Sequence, residues 1–181
     1  MRFVAFLASL LCVLSLNAQE YNVASPSGKL NMTVQTGKSL SYSLSVDGET
    51  VMTDCAMSMT LADSRVLGHD ARIRKAEKAA VNETINSPFY RQSSFETAYN
   101  SLLLKFTGDW SLEIRAYDDG VAYRFLTDFR KNYDVKDEQV EFIFADDYDL
   151  IIPYSDKRKD KYSSSFESQY TFQKLSEKPY D

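Results

Sequence analysis

Apolar and polar residues alternate along much of the chain, which is the pattern of a β-strand with one buried face. In residues 40–47, Leu, Tyr, Leu and Val alternate with three serines and an aspartate. A strand of this kind must bury its apolar face against another layer, so the pattern predicts an all-β, antiparallel sandwich. Similar alternation is found at 30–35, 102–106, 110–116 and 121–125, and at Val140, Phe142 and Phe144.

Turn-forming residues separate these segments. Gly108-Asp109 joins two alternating segments directly, and Asp118-Asp119-Gly120 joins the next pair. We therefore predict a meander of strands near 101–107, 110–117 and 120–127. Trp110 alternates with apolar positions, which favours a place in the core over a surface on which a sugar could stack.

Two regions depart from the alternation. Residues 71–81 are rich in helix-forming residues but have no apolar stripe, so they could form a short helix or a polar edge strand. We favour the strand. After Pro153 the chain contains a charged run at 156–161 and serines at 163–165, and we predict no strand there.

The N-terminus has the organisation of a secretory signal peptide. Arg2 precedes an apolar run at 3–16, and Asn17-Ala18 then provides a cleavage site after residue 18. The run is too short to span a bilayer comfortably. We therefore expect an exported protein, periplasmic or extracellular, with a signal peptide at 1–18, a β-sandwich at 19–154 and a polar linker or tail at 155–181.

Composition excludes several functions. The 181 residues are too few for a complete (β/α)8 barrel of about 250 residues. A net charge of −5 gives no electrostatic footprint for nucleic acid or an anionic membrane, so we predict neither as a partner. The single histidine, His69, excludes zinc sites with two or three histidine ligands, and its Gly-His-Asp context predicts an exposed loop.

Only one cysteine remains if the signal peptide is removed. Cys12 lies in the apolar N-terminal run, and Cys55 lies in the predicted sandwich. A single thiol forms no internal disulfide, and we interpret Cys55 as a small buried apolar residue.

Four segments together resemble a known family. They are SPSGKL at 25–30, YSLSVDGETV at 42–51, VNETINSPFYR at 81–91 and IRAYDDGVAYRF at 114–125, of which the last is the most specific. They are similar to the N-terminal domain of glycoside hydrolase family 97, the secreted α-glucosidases and α-galactosidases. The resemblance covers roughly residues 21–175.

The resemblance implies a β-supersandwich similar to that of galactose mutarotase, which agrees with the alternation. It also implies a following catalytic (β/α)8 barrel that carries the general acid and the base or nucleophile. We therefore expect an accessory domain of an exported α-glycosidase, with an α-linked oligosaccharide and the catalytic barrel as partners. We assign no catalytic residue to this chain, and we interpret Asp118 and Asp119 as turn residues rather than as a catalytic pair.

The resemblance also implies where contacts could lie. Glu167, in Phe-Glu-Ser-Gln-Tyr, matches a glutamate that is one calcium ligand in calcium-dependent members, the other ligands being barrel glutamates. The alternative is a solvated glutamate on a linker. Arg91, Arg115 and Arg124 are candidates for substrate or interdomain contacts, although for Arg124 we favour a surface ion pair over a contact with the barrel.

Two other functions are considered. A stand-alone carbohydrate-binding sandwich would need a row of exposed aromatic residues, which Tyr117, Tyr123 and Tyr133 could supply. An epimerase related to the mutarotases would need a histidine acid, and His69 in a loop does not support that chemistry.

Overall fold

The computed structural model describes residues 19–154 and 169–177, which form twelve β-strands and no helix. The predicted signal peptide at 1–18, Glu167 and most of the predicted tail lie outside the described residues. The described part of the chain holds no helix long and apolar enough to cross a membrane. The strands are β1 (Gln19–Ala24), β2 (Leu30–Thr36), β3 (Leu40–Val46), β4 (Glu49–Leu61), β5 (Val66–Leu67), β6 (Ile73–Asn86), β7 (Ser94–Phe106), β8 (Trp110–Ala116), β9 (Val121–Thr127), β10 (Val135–Val140), β11 (Asp149–Ile152) and β12 (Thr171–Lys174).

Two antiparallel sheets form the body of the sandwich. The first has the strand order β1-β2-β3-β4-β10, with the short β5 also paired to β4, and the second has the order β6-β7-β8-β9. Alternate residues of both sheets meet in one core, which confirms the all-β sandwich. The core includes Met32, Val34, Leu40, Tyr42, Cys55, Met57 and Leu61 from the first sheet, and Leu102, Leu104, Phe106, Leu112, Ile114 and Ala116 from the second.

The predicted meander is present as β7, β8 and β9, and the turn between β7 and β8 has the expected backbone. Gly108 and Asp109 have φ angles of 92° and 59° between β7 and β8. In the first sheet, Asp47 and Gly48 have φ angles of 52° and 86° between the paired residues Val46 and Glu49. In the two-residue Asp47-Gly48 loop, positive φ at both central residues is the type I′ geometry that matches the twist of the hairpin, whereas three residues, 107–109, separate the paired Phe106 and Trp110.

The region of residues 71–81 forms a polar edge strand, as predicted. Residues 73–81 lie in β6, the edge of the second sheet, and most of their side chains are exposed. The pairing of β7 with β8 ends at Asn100 and Ala116, whereas β6 and β7 remain paired as far as Asn86 and Ser94. The β6–β7 hairpin therefore extends past the end of β8 as a two-stranded arm.

Three predictions about single residues are confirmed. Cys55 is a free, fully buried thiol, and His69 is exposed. Trp110 is 6 % exposed and stacks on Phe106 with ring centroids 4.0 Å apart, so it belongs to the core.

The predicted strand through Val140, Phe142 and Phe144 is wrong beyond its first residue. β10 ends at Val140, and the chain continues along β4 with an irregular backbone. The amide of Ile143 donates to the Sγ atom of Cys55 at 3.1 Å instead of to a backbone carbonyl. This diversion interrupts the ladder, and Phe142 is left 61 % exposed.

The prediction of no strand after Pro153 is also wrong. β12 pairs with β11 in a separate two-stranded sheet, in which Ile151 lies opposite Phe172. Four residues with one large apolar side chain give no periodic signal, and the partner strand is distant in sequence. Pairing between distant segments therefore decides this strand.

A hydrogen bond joins a turn of the first large sheet to a turn of the second. The amide of Ser27, in the β1–β2 turn, donates to Oδ1 of Asp118, in the β8–β9 turn, at 2.8 Å. The Ser27 amide and then the Ser27 hydroxyl lower the pKa of Asp118 below its ordinary value. Asp118 is a turn residue, as predicted, and it also tethers the turns of the two sheets.

We expect Asp118→Asn to reduce the acid dependence of stability. Because the folded state lowers the pKa of this carboxyl, its contribution is present above the pKa of the unfolded chain, about 4, and is lost as the pH falls through the folded-state pKa. Urea unfolding between about pH 5 and pH 2 should therefore give a flatter profile for Asp118→Asn. Asp119→Asn, in the same turn, is the matched control, and an equal flattening in both variants would contradict the assignment.

Candidate functional site

A charged and aromatic cluster covers the outer face of the second sheet. Along β8, Leu112, Ile114 and Ala116 point into the core, so Glu113 and Arg115 point outward. Glu113 lies directly opposite Arg124 of β9, and directly opposed residues of an antiparallel pair share a face. The strand register therefore brings Arg115 and Arg124 to the same acidic side chain.

Glu113 is the centre of this cluster, and its side chain is only 16 % exposed. Its Oε1 atom accepts hydrogen bonds from Nε and Nη2 of Arg115 at 3.2 and 3.1 Å. Its Oε2 atom accepts from Nε of Arg124, whose side chain stays 58 % exposed. The ion pair favoured for Arg124 is thus present, and Arg115 shares the same carboxylate.

Two tyrosines complete the cluster. The Arg115 guanidinium lies 4.7 Å from the centroid of the Tyr99 ring, and the Tyr99 and Tyr117 rings are 4.9 Å apart. A hydrogen bond with Tyr117, followed by the bond to Glu113, raises the pKa of Arg115. Burial raises the pKa of Tyr99, and the charge of Arg115 opposes that shift. Arg115 is therefore a fixed cation held by one acidic and two aromatic side chains.

A small cavity opens beside these residues. It has a volume of about 180 Å³ and is lined by Glu113, Arg115, Tyr117, Ala122, Tyr123 and Arg124. Small-molecule sites usually measure about 300–1,000 Å³. The cavity is therefore better suited to one polar group of a partner than to a whole oligosaccharide, and the guanidinium groups would favour a hydrogen-bond acceptor.

The third predicted arginine lies elsewhere. Arg91 is exposed in the connection between β6 and β7, at the tip of the two-stranded arm. At least six strand residues, about 20 Å, separate it from the level of Arg115. The structure therefore brings together Arg115 and Arg124 but not Arg91. The roles of all three in substrate or interdomain contacts remain predictions.

The proposed row of exposed tyrosines is not formed. Tyr117 packs on Tyr99, whereas Tyr123 packs against the core, with its ring 6.2 Å from that of Tyr42. Tyr133 packs edge-on against Phe129, beyond the end of β9. These three side chains do not make a common platform for a sugar chain.

A larger cavity of about 380 Å³ lies at the turn between β7 and β8. Its cations have acidic neighbours: Arg74 lies 3.8 Å from Asp109, and Lys75 and Lys105 both bind Glu77. Trp110 lines the cavity but has no open ring face, since it is stacked and buried. The sequence offered no signal for this cavity, because it joins residues of four separate segments.

Within residues 19–154 and 169–177, no group of three or more histidine, cysteine, aspartate or glutamate side chains is placed to hold a metal ion. Calcium takes six to eight oxygen ligands. The described residues alone do not fit a calcium site, and the predicted ligand Glu167 lies outside them.

We expect Glu113→Gln to destabilise the chain by about 1–3 kcal/mol, because hydrogen bonds to a charged group are lost and two arginines lose their acidic partner. Urea unfolding measures the change. Glu96→Gln, at an exposed position of β7, is the matched control and should change stability by less than about 0.5 kcal/mol. Equal effects of the two substitutions would mean that the cluster contributes nothing to the fold.

Comparisons with known proteins identify relatives of this fold. The family model described as "Glycosyl-hydrolase 97 N-terminal" matches residues 23–181. A retaining alpha-galactosidase of Bacteroides thetaiotaomicron is 39 % identical over 176 residues, which are 94 % of this chain and 27 % of that protein. The chain thus spans about a quarter of the length of this relative.

Solved structures agree in fold. A glycoside hydrolase family 97 enzyme from a Pseudoalteromonas species, in complex with acarbose, matches with a TM-score of 0.70 at 18 % identity over 84 % of this chain and 24 % of that chain. A variant from that source, in complex with panose, matches with a TM-score of 0.63 at 20 % identity over 74 % of this chain and 22 % of that chain. The family match spans nearly the whole described chain, so this protein belongs to the glycosyl-hydrolase 97 N-terminal family.

Proposed function

We propose that this chain is the N-terminal accessory domain of an exported α-glycosidase, and that it helps to shape a site for an α-linked oligosaccharide on a catalytic barrel of the same protein. The observation that carries this proposal is the match of 94 % of the chain to 27 % of a retaining alpha-galactosidase. A domain that makes up about a quarter of a longer enzyme is expected to act together with the rest of that enzyme.

The chemistry of the described acidic residues supports an accessory role. A retaining glycosidase needs two carboxyl groups about 5 Å apart, one of them free to give and take a proton. Both oxygens of Glu113 accept hydrogen bonds from guanidinium groups, and Asp118 is held by Ser27. These carboxylates are engaged in holding the structure, so the reacting groups would come from another domain.

The outer-face cluster supports a role in an interface. Arg115 is fixed by Glu113, Tyr99 and Tyr117, whereas Arg124 is anchored by Nε and remains more than half exposed. A guanidinium that is preorganised and exposed can donate to a carbonyl or carboxylate on a partner surface at a reduced entropic cost. We assign this contact to the catalytic barrel.

Calcium and export belong to the proposal as well. Glu167 would supply one oxygen ligand, and the remaining ligands would have to come from the barrel, since calcium needs several. A bound calcium ion would polarise oxygen atoms of the substrate or the reacting groups. The signal peptide at 1–18 would direct the protein out of the cytoplasm.

The purified chain is expected to show no turnover of aryl α-galactosides or aryl α-glucosides, because the proposal places the general acid and the base or nucleophile on the catalytic barrel. Release of the chromogenic leaving group measures this, with the retaining alpha-galactosidase relative as the positive control. Turnover by the chain that persists after repeated purification would refute the accessory role.

Titration of the purified chain with Ca²⁺ in a calorimeter should detect no stoichiometric site of micromolar affinity, because one glutamate cannot replace a full set of oxygen ligands. Glu167→Gln should give the same trace as the unmodified chain. A 1:1 micromolar site that disappears in Glu167→Gln would show that this chain holds calcium by itself.

A further inference from the structure

Within residues 19–154 and 169–177, the core side of β10 is left partly open. Val140 lies directly opposite Met57 of β4, and Val135 lies opposite Leu61. Directly opposed residues of an antiparallel pair project from the same face, and Met57 and Leu61 are 1 % and 0 % exposed in the core. Val135 and Val140 therefore point to the core side, yet they are 50 % and 40 % exposed.

The second sheet ends too early to cover these valines. Across the sandwich, β1 lies against β7 and β8, and β2 lies against β8. Tyr42 of β3 meets Tyr123 of β9 with ring centroids 6.2 Å apart. β9 is the last strand of its sheet, and in the described part of the chain no strand pairs with its other side. The first sheet continues beyond β3 to β4, whose core residues are buried, and then to β10, with which no described strand of the second sheet makes more than a marginal contact.

A third side chain characterises the uncovered surface. Glu138 lies opposite Met59 and so shares the face of the two valines. Tyr42 links the end of β10 to β9, since its hydroxyl donates to the carbonyl of Glu141 at 2.8 Å and its ring lies 6.2 Å from that of Tyr123. Burial raises the pKa of Tyr123, and the charge of Glu138 raises it further. Along β10, the open surface thus presents Val135, Glu138 and Val140 in that order. It lies next to the side of β9 whose backbone groups pair with no described strand.

We infer that a further β-strand pairs with the free side of β9 and covers the core side of β10, and that it comes from a part of the same longer glycosidase outside these 181 residues. The strand would place apolar side chains over Val135 and Val140, and a basic or hydrogen-bond-donating side chain near Glu138. Strand addition satisfies the backbone of an exposed edge while its alternate side chains fill the uncovered face. The retaining alpha-galactosidase relative has about three quarters of its length outside the match, which is ample for such a strand.

This inference rests on the proposed function, since the strand must come from the rest of the enzyme. Hydrogen exchange followed by mass spectrometry tests it on two proteins: the 181-residue chain and the longer polypeptide encoded by the same gene. In the longer polypeptide, we expect the exchange of residues 121–127 to slow by roughly tenfold or more, because amides on the free side of β9 become hydrogen-bonded.

Two substitutions on β10 provide the matched comparison. Val140→Glu changes the core side, and it should lower the urea midpoint of the longer polypeptide while leaving that of the 181-residue chain nearly unchanged. Gln139→Glu changes the outer side: it keeps the oxygen that accepts from Ser58 but loses the amide that donates to Glu141 at 2.9 Å, so it should lower the urea midpoint of both proteins by the same amount. This contrast separates the covering of β10 from a general effect of added charge.

The outcomes are distinct. Unchanged exchange at 121–127, together with tolerance of Val140→Glu in the longer polypeptide, overturns the inference and leaves the proposed function intact. Protection that rises with the concentration of the 181-residue chain assigns the surface to a second copy and also overturns it. If the gene encodes only these 181 residues, the proposed function is refuted, and the inferred strand then has no source.

Discussion

Burial of one apolar face from each of two sheets is the constraint on which this structure depends. Val34 of β2 and Leu40 of β3 lie in one core with Leu104 of β7 and Leu112 of β8, and all four are fully buried. Removal of this apolar surface from water is the main favourable term in folding. Because successive side chains of a strand point to opposite faces, burial of one face places every intervening residue on the outer face.

The cluster of Glu113, Arg115, Arg124, Tyr99 and Tyr117 on the outer face follows from this burial. Glu113 and Arg115 point outward because their neighbours in β8 are core residues, and the register with β9 places Arg124 opposite Glu113. The cluster is held by charge-assisted hydrogen bonds and by the stacking of Arg115 on Tyr99, so its geometry is largely fixed before any partner arrives. A preorganised surface of this kind suits contact between domains, where ordering costs would otherwise oppose association.

The incomplete cover of β10 is consistent with a domain that does not act alone. A sandwich that served as an independent module would be expected to cover both faces of its core. Here the second sheet stops at β9 while the first continues to β10, and core-side valines remain open. Glu113 and Asp118, in turn, hold parts of the fold together through their hydrogen bonds to Arg115, Arg124 and Ser27.

The local sequence determined the strands whose burial is one-sided, together with the turns at Asp47-Gly48 and Gly108-Asp109, because alternation and turn chemistry act between near neighbours. It also favoured a polar edge strand over a short helix at residues 71–81. The tertiary structure alone decided that Arg115 and Arg124 share Glu113 while Arg91 lies apart, because register joins residues from different strands. It likewise decided that Asp118 binds Ser27, that Cys55 diverts the chain after Val140, and that β12 finds β11. Each of these contacts joins segments that are distant along the chain, and local periodicity carries no information about which distant segments will meet.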